Sequence, residues 1–226
     1  MSKIKKNILI FGASGHSSVI IDIIEKTTDY HIIGYIDNDI NKQNSEFLGY
    51  KILGTQKDLI SICKKYQVSK GLIAIGNNWI RELVSDLIEK EYSNFEFISI
   101  IHPSAQIAKR VKIDKGSVVM AGVVINSNVE IGKHCIINSS SVIEHNCVIK
   151  DFSSLAPGVI IGGSVNIGKS TAISIGAVIK NNINIGNCTV IGAGATVLNN
   201  INDCVVAYGT PAKFIRNRTK DEEYLR

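Results

Sequence analysis

From Ile101 to Val197 an aliphatic residue falls on every sixth position without a break: Ile101, Ile107, Ile113, Val119, Ile125, Ile131, Ile137, Ile143, Ile149, Leu155, Ile161, Ile167, Ile173, Ile179, Ile185, Ile191 and Val197. Two residues ahead of most of them stands something small or β-branched, as at Ser141, Ser153, Val159, Val165, Thr171, Ala177 and Thr189. Glycine often follows, as at Gly132, Gly162, Gly168, Gly186 and Gly192. An α-helix repeats its apolar face every 3.6 residues and a half-buried strand every second residue, so neither yields this period. A triangular prism does. Each side is a short strand with its aliphatic residue turned inward, each corner is a tight turn, and three sides close one coil. Stacked coils pair each strand with those above and below, and the aliphatic rows merge into one core that no single coil supplies. A parallel β-helix of a little over five coils is expected, with glycine giving its corners backbone freedom.

Residues 1–100 read as a small α/β domain. Strands are expected over 8–11, 31–36 and 71–75, and helices over 17–26 and 78–90, which makes a Rossmann-like parallel sheet. The boundary falls near 98–103, where Pro103 interrupts strand pairing just as the six-residue register begins, and divides 1–100 from 101–226.

Bulk properties narrow the function classes. The net charge of +5 is spread along the chain, and its densest basic cluster is Lys213, Arg216, Arg218 and Lys220. That balance suits anionic small molecules better than nucleic acid. No apolar run is long enough to span a membrane, and a Lys-rich stub leads straight into a strand rather than a secretory segment, so a soluble cytoplasmic protein is expected. The cysteines at 63, 135, 147, 188 and 204 form no CxxC pair and are odd in number. They signal neither a disulfide framework nor a zinc site and read as small buried hydrophobes.

The turn after the first strand is Gly12-Ala13-Ser14-Gly15-His16, which sets two glycines and an exposed helix N-terminus at the carboxyl edge of the sheet. Free N–H groups and the positive helix end suit a phosphate. A GxGxxG fingerprint counted from Gly12 would need glycine at Ser14 and Ser17, so a NAD site is disfavoured. Asp37-Asn38-Asp39 and Gly76-Asn77-Asn78 end the next two strands, and three polar loops converge on one crevice fit for a nucleotide. Taken singly, each is ordinary turn and cap chemistry.

In the prism, inward Ile143 makes His145 an outward corner residue, flanked by Glu144 and Asn146. Its imidazole has the right pKa range for taking a proton from an attacking amine or hydroxyl, and either neighbour could orient it. His134 and His31 read as inert surface histidines.

Four segments carry a family resemblance: GASGH at 12–16, AIGNN at 74–78, SSVIEH at 140–145 and YGTPAK at 208–213. Through them residues 7–218 resemble the sialic-acid O-acetyltransferase-like group of hexapeptide-repeat acyltransferases, which includes bacterial nucleotide-sugar N-acetyltransferases. The resemblance implies a left-handed β-helix, acetyl-CoA as co-substrate, and a homotrimer with acetyl-CoA bound along the prism between subunits. It implies that the first domain holds a UDP-linked 4-amino sugar through Ser14, Gly15, His16, Asp37 and Asn38, with Gly76 and Asn77 in the same crevice. It implies His145 as general base and Asn138, Gly163, Ile175, Ala193 and Lys213 along acetyl-CoA. Two positions depart from the family pattern. Asn146 stands where Glu or Asp commonly follows the base, and Ser154 stands where some members place a CoA-contacting histidine.

The expected activity is acetyl transfer to the 4-amino group of a nucleotide-linked amino-dideoxy sugar in surface-glycan biosynthesis. Alternatives are O-acetylation of a sialic-acid-type sugar, or a non-catalytic trimeric scaffold that senses nucleotide sugars. Gamma-class carbonic anhydrases share the prism, but their zinc site includes an HxxxxH pair. The intervals here are 32 from His102 to His134 and 11 from His134 to His145, so no metal is expected.

Overall fold

The computed structural model describes residues 5–27 and 29–224. The chain separates into two compact units, one holding the chain up to Gly76 with Ile80–Ile100, the other Asn77–Trp79 with Ile101 onward.

The first unit is built on β1 (Lys6–Phe11), β2 (Tyr30–Ile36), β3 (Glu46–Phe47), β4 (Tyr50–Gly54), β5 (Lys70–Ile73) and β6 (Glu96–Phe97). Their order in the sheet is β3-β4-β2-β1-β5-β6, parallel except for the β3–β4 hairpin at the edge. The helices are α1 (Gly15–Thr27), α2 (Leu59–Tyr66) and α3 (Asn78–Glu91). α1 starts two residues earlier than its apolar pattern indicates. The Ser17 hydroxyl accepts from the Ser14 N–H at 3.0 Å and donates to the Ser14 carbonyl at 2.6 Å, which closes the entering turn around Gly15. α1 buries Ile20, Ile21, Ile23 and Ile24, while Leu9, Phe11, Ile36, Leu59, Ile62 and Phe95 form a core cluster of their own. β1 has β2 on one side and β5 on the other, so chain direction across the sheet reverses there. In open α/β sheets such a switch point opens a crevice at the carboxyl ends of the strands.

In the second unit two-residue strands alternate with four-residue corners from Gln106 to Val197. Each strand pairs with the strand eighteen residues on, as in Ile125↔Ile143↔Ile161↔Ile179↔Val197. The first face includes Val118–Val119, Ile136–Ile137, Ser154–Leu155, Ala172–Ile173 and Val190–Ile191. The second includes Val124–Ile125, Val142–Ile143, Ile160–Ile161 and Val178–Ile179, and the third Glu130–Ile131, Val148–Ile149, Asn166–Ile167 and Asn184–Ile185. The inward aliphatic rows, with Val123, Val129, Cys135, Cys147, Val159, Val165, Ala177 and Ala195 between them, form one continuous core. The few hydroxyls inside it reach carbonyls: Ser153 Oγ donates to Gly168 O and Thr171 Oγ1 to Gly186 O, each at 2.6 Å. A hairpin of Val205–Gly209 and Ala212–Asn217 extends the first face.

The corner glycines work differently from the expectation. Those just after the aliphatic residue are not in the left-handed region; they are needed because a neighbouring coil lies against them. A Cβ on Gly168 would stand 2.4 Å from the Gly186 carbonyl carbon and 2.5 Å from Asn187 N. The left-handed position comes two residues later and recurs at every corner from Gly116 to Gly194, filled by Gly116, Gly122, Asn128, His134, Ser140, Asn146, Phe152, Gly158 and Ser164 at the first nine. His134 is therefore not a surface histidine. It is fully buried, its ring stacked on Phe152 at 5.1 Å and 3°. Cys63, Cys135 and Cys147 are buried as expected, whereas Cys188 and Cys204 are only partly so.

Gly168→Ala is expected to cost about 1–3 kcal/mol, the usual range for forcing extra volume into a packed site. Gly176→Asn, in the left-handed region with no atom within 4 Å of its Cβ direction, should be nearly neutral. Urea denaturation of the two variants checks the ordering.

Candidate functional site

The crevice of the first unit is a cavity of about 280 Å³ lined by Gly12, Ala13, Ser14, Asp37, Asn38, Gln56, Ile75, Gly76 and neighbouring apolar residues. Gly12, at φ +98°, turns the chain off β1 where a Cβ would meet Ile75 Cγ1 at 2.9 Å. Asp37 binds the loops together. One carboxylate oxygen accepts from the Ala13 N–H at 2.8 Å and from Lys42 Nζ at 3.1 Å, and the other accepts from the Asp39 N–H at 2.9 Å. Burial alone would raise its pKa, but these hydrogen bonds and the Lys42 charge outweigh that and hold the carboxyl below its usual range. Lys42 Nζ also donates to the Ala13 carbonyl at 3.0 Å, which brings a cation to the glycine turn. Asn38 Oδ1 accepts from the Gln56 N–H at 2.9 Å.

Of the residues read from sequence, Ser14, Asp37, Asn38 and Gly76 line this cavity, whereas Gly15, His16 and Asn77 do not. The N–H groups of Gly15 and His16 donate to no acceptor among the described residues. A Cβ on Gly15 would meet nothing within 4 Å. The His16 imidazole has its Nε2 buried without a partner, and burial, reinforced by the Arg81 charge, lowers its pKa to about 4. Arg81 is itself buried and donates to the carbonyls of Ile75 and Gly76 at 2.9 and 3.0 Å, fixing the loop after β5. Gln56 and Lys42 escaped the sequence reading because each lies in a single 3-10 turn, Gln56–Asp58 and Ile40–Lys42, too short to show an apolar period.

In the second unit His145 stands exposed at a corner between the second and third faces. Its carbonyl accepts from the Ser164 N–H at 2.9 Å, and the next N–H, that of Asn146, reaches Ser127 O at 3.1 Å, so coils on both sides hold the turn. The ring lies on Gly163: a Cβ there would stand 2.7 Å from the imidazole Cε1 and 2.9 Å from Nε2. The Gly163 N–H has no backbone acceptor among the described residues. Asn146 is the neighbour that reaches the ring, with its amide nitrogen 3.1 Å from Nδ1. Asn128, one coil back, lies 3.0 Å from the other end of that amide. The Glu144 carboxylate makes no hydrogen bond or ion pair among the described residues, although its backbone N–H donates to Ile161 O at 3.0 Å.

The positions expected along acetyl-CoA divide between two edges of the prism. Gly163 shares the edge of His145, whereas Asn138, Ile175 and Ala193 follow strands of the first face and lie on the edge between the first and second faces. Asn138 Nδ2 donates to Leu155 O at 3.0 Å, and Ile175 is 57% exposed, an apolar side chain presented outward. Lys213 is exposed on the terminal hairpin. The described residues contain no group of three or more His, Cys, Asp or Glu side chains able to hold a metal ion, and no helix long and apolar enough to cross a membrane.

Known proteins share both halves. Residues 7–88 match the PglD N-terminal domain family. UDP-N-acetylbacillosamine N-acetyltransferase of Bacillus subtilis (strain 168) is 34% identical over 118 residues, 51% of this chain and 52% of that protein. A protein of Acanthamoeba polyphaga mimivirus is 31% identical over 120 residues, 22% of its length. The chain thus spans about half or less of the curated relatives it matches. A histidine-to-alanine variant of GDP-perosamine N-acetyltransferase from Caulobacter crescentus, in complex with CoA and GDP-perosamine, superposes with a TM-score of 0.86 at 29% identity, covering 96% of this chain and all of that one. The acetyltransferase domain of PglB from Neisseria gonorrhoeae, in complex with acetyl coenzyme A, does so with a TM-score of 0.84 at 27% identity over 94% of this chain and all of that one.

Fold and sequence together define a left-handed parallel β-helix preceded by a small α/β domain, the architecture of the solved hexapeptide-repeat acyltransferases that the chain resembles. Among these it is similar to the nucleotide-sugar N-acetyltransferases.

The buried imidazole of His16 has a consequence for stability. Its folded pKa of about 4 lies below the ordinary histidine value of 6.5, so the unfolded chain takes up the proton first as pH falls. Its contribution is intact above about pH 6.5 and is lost progressively toward pH 4, to a total of roughly 3 kcal/mol. Denaturant titrations between pH 7 and pH 4 should show His16→Gln losing less stability than the parent; parallel losses would contradict the assignment.

Proposed function

We propose that this chain transfers the acetyl group of acetyl-CoA to the 4-amino group of a UDP-linked amino-dideoxy sugar in surface-glycan biosynthesis. The observation that carries the proposal is the pairing of an exposed imidazole with a glycine whose N–H has no backbone acceptor among the described residues, one coil apart on the same edge. His145 acts as the base. The amine nitrogen attacks the thioester carbon, and its proton passes to Nε2 as the C–N bond forms. The carbonyl oxygen takes the negative charge, and the Gly163 N–H stabilises it. The C–S bond then breaks, and the CoA sulfur leaves as the thiol with the proton from the imidazolium. Each step uses side chains and amides alone.

The crevice of the first unit receives the nucleotide. The free N–H groups of Gly15 and His16, the start of α1 and the Lys42 ammonium at the glycine turn favour a diphosphate, while Asn38 and Gln56 present amides to a base. His16 meets the ligand as a neutral ring. The relatives named for UDP-linked and GDP-linked amino sugars support the substrate class.

We propose further that the enzyme is a homotrimer and that acetyl-CoA lies between copies. Between Gln106 and Thr196 at its two ends, the outward residues of the second face are Val124, Val142, Ile160 and Val178, whereas those of the third are Lys112, Glu130, Val148, Asn166 and Asn184. Ile160 is 45% and Val178 38% exposed, an apolar row suited to burial against a second copy. This face separates the His145 edge from the Asn138–Ile175–Ala193 edge, so a neighbour's edge is what brings the two sets together.

Thiol release from acetyl-CoA, measured with a panel of UDP-, GDP- and dTDP-linked amino sugars and with free sialic acid, tests the reaction and its acceptor. Turnover is expected with the UDP 4-amino sugar, and His145→Ala should lower kcat by about 10² to 10⁴ while leaving acetyl-CoA binding nearly intact. Turnover only with sialic acid, or full activity of the variant, would contradict the proposal. Ile160→Asp should convert a trimeric sedimentation mass to a monomeric one and abolish turnover with it; an active monomer would exclude a shared site.

A further inference from the structure

Asn128 and Asn146 occupy the same left-handed corner position in successive coils, at φ +62° and +60°. Asparagine tolerates that conformation better than most side chains, so backbone geometry alone accounts for the residue type. It does not account for the side-chain chain they form. Asn128 Nδ2 lies 3.0 Å from Asn146 Oδ1, and Asn146 Nδ2 lies 3.1 Å from His145 Nδ1. The three groups make one line of hydrogen bonds ending on the imidazole.

An amide has a donor end and an acceptor end of nearly equal size, so the line can run in two directions. A half-turn of both carboxamides reverses each bond with little change in either separation. In one direction Asn146 donates to Nδ1, and a neutral ring then carries its proton on Nε2, where it blocks the nitrogen required as base. In the other, Asn146 Oδ1 accepts from Nδ1–H, Nε2 presents its lone pair, and the Asn146 amide N–H must find an acceptor. Asn128 Oδ1 is that acceptor.

Accepting the reading of His145 as base, we propose that Asn128 is a positioning residue that sets the His145 tautomer through Asn146, the working direction being Nδ1–H to Asn146 Oδ1 and Asn146 Nδ2–H to Asn128 Oδ1. The relay lets the site dispense with a carboxylate at position 146. It fixes the tautomer as a buried carboxylate would, without adding charge. Neutrality is characteristic of the surroundings. The flanking corners, Asn126 to Val129 and Gly162 to Val165, contain no titratable side chain, and the titratable neighbours of the ring on its own coil are Glu144 and the Cys147 thiol.

Two substitutions separate the relay from simple corner stability. Asn128→Gly removes the amide and keeps a residue at home in the left-handed region, as Gly116, Gly122 and Gly158 show at equivalent corners. Asn128→Asp supplies a side chain that only accepts, which forces Asn146 to turn its nitrogen toward it. Two-bond ¹H–¹⁵N correlation spectra of ¹⁵N-histidine-labelled full-length protein, with the His145 signals assigned by their loss in His145→Ala, report the tautomer without any substrate. The Nδ1–H form is expected in the parent and in Asn128→Asp, with growth of the Nε2–H form in Asn128→Gly. In turnover, Asn128→Gly should lose at least about tenfold in kcat with KM for acetyl-CoA unchanged, and Asn128→Asp should retain kcat with the acidic limb of its pH profile moved upward. Unchanged tautomer and kcat in Asn128→Gly would overturn the relay, as would an Nε2–H ring in Asn128→Asp. Failure of the acetyltransferase reading looks different: the parent then turns over no nucleotide amino sugar, whatever the spectra give.

Discussion

Everything in the second unit depends on the stacking of identical coils. Up to the last coil, where the step shortens to sixteen as in Val190↔Val206, each strand bonds to the strands eighteen residues before and after it, so every position in one coil lies directly over its equivalent in the next. The aliphatic rows inside gain their burial from this, and so does the order of the edges outside. A corner residue has little freedom of its own; its backbone is pinned by the coil on either side. That is how an exposed imidazole acquires a fixed seat on a glycine and a fixed amide neighbour without a surrounding pocket. The precision of the edge is inherited from the core.

The two units hold their polar groups in opposite ways. In the first, a carboxylate, an ammonium and a buried guanidinium brace three loops around a small cavity, and charge is spent mostly on the protein itself: the Asp37 oxygens are largely taken up by Ala13, Asp39 and Lys42. In the second, the groups around His145 are neutral amides and backbone.

The prism was legible from sequence because its inward rows admit almost nothing but aliphatic residues. The left-handed corner position was not, although it recurs as regularly. It is filled by Gly, Asn, His, Ser, Phe and Cys, residues with no chemistry in common, and only the register of the coils reveals them as one set. His134 was misread because its burial comes from stacking on Phe152 of the next coil, a contact that the linear sequence does not show. The same register would have found Asn128, exactly one coil before Asn146, had it been applied to polar positions. In the first unit β1, β2, β5, α1 and α3 announced themselves through apolar runs; β3 and β6, of two residues each, are too short to do so, and in β4 and α2 the apolar residues are interrupted by lysine and tyrosine. Gln56 was missed along with them.

The proposed site rests on one arrangement: His145 of one copy facing the Asn138, Ile175 and Ala193 edge of the next, with the thioester between them. A crystal structure of the full chain with CoA and the UDP-linked 4-amino sugar tests this directly. The account predicts the sugar amine within about 3.5 Å of His145 Nε2, hydrogen-bond reach allowing for an unreacted complex, and the CoA sulfur between edges of two different copies. CoA held along a single prism, or a sugar amine remote from His145, would contradict it.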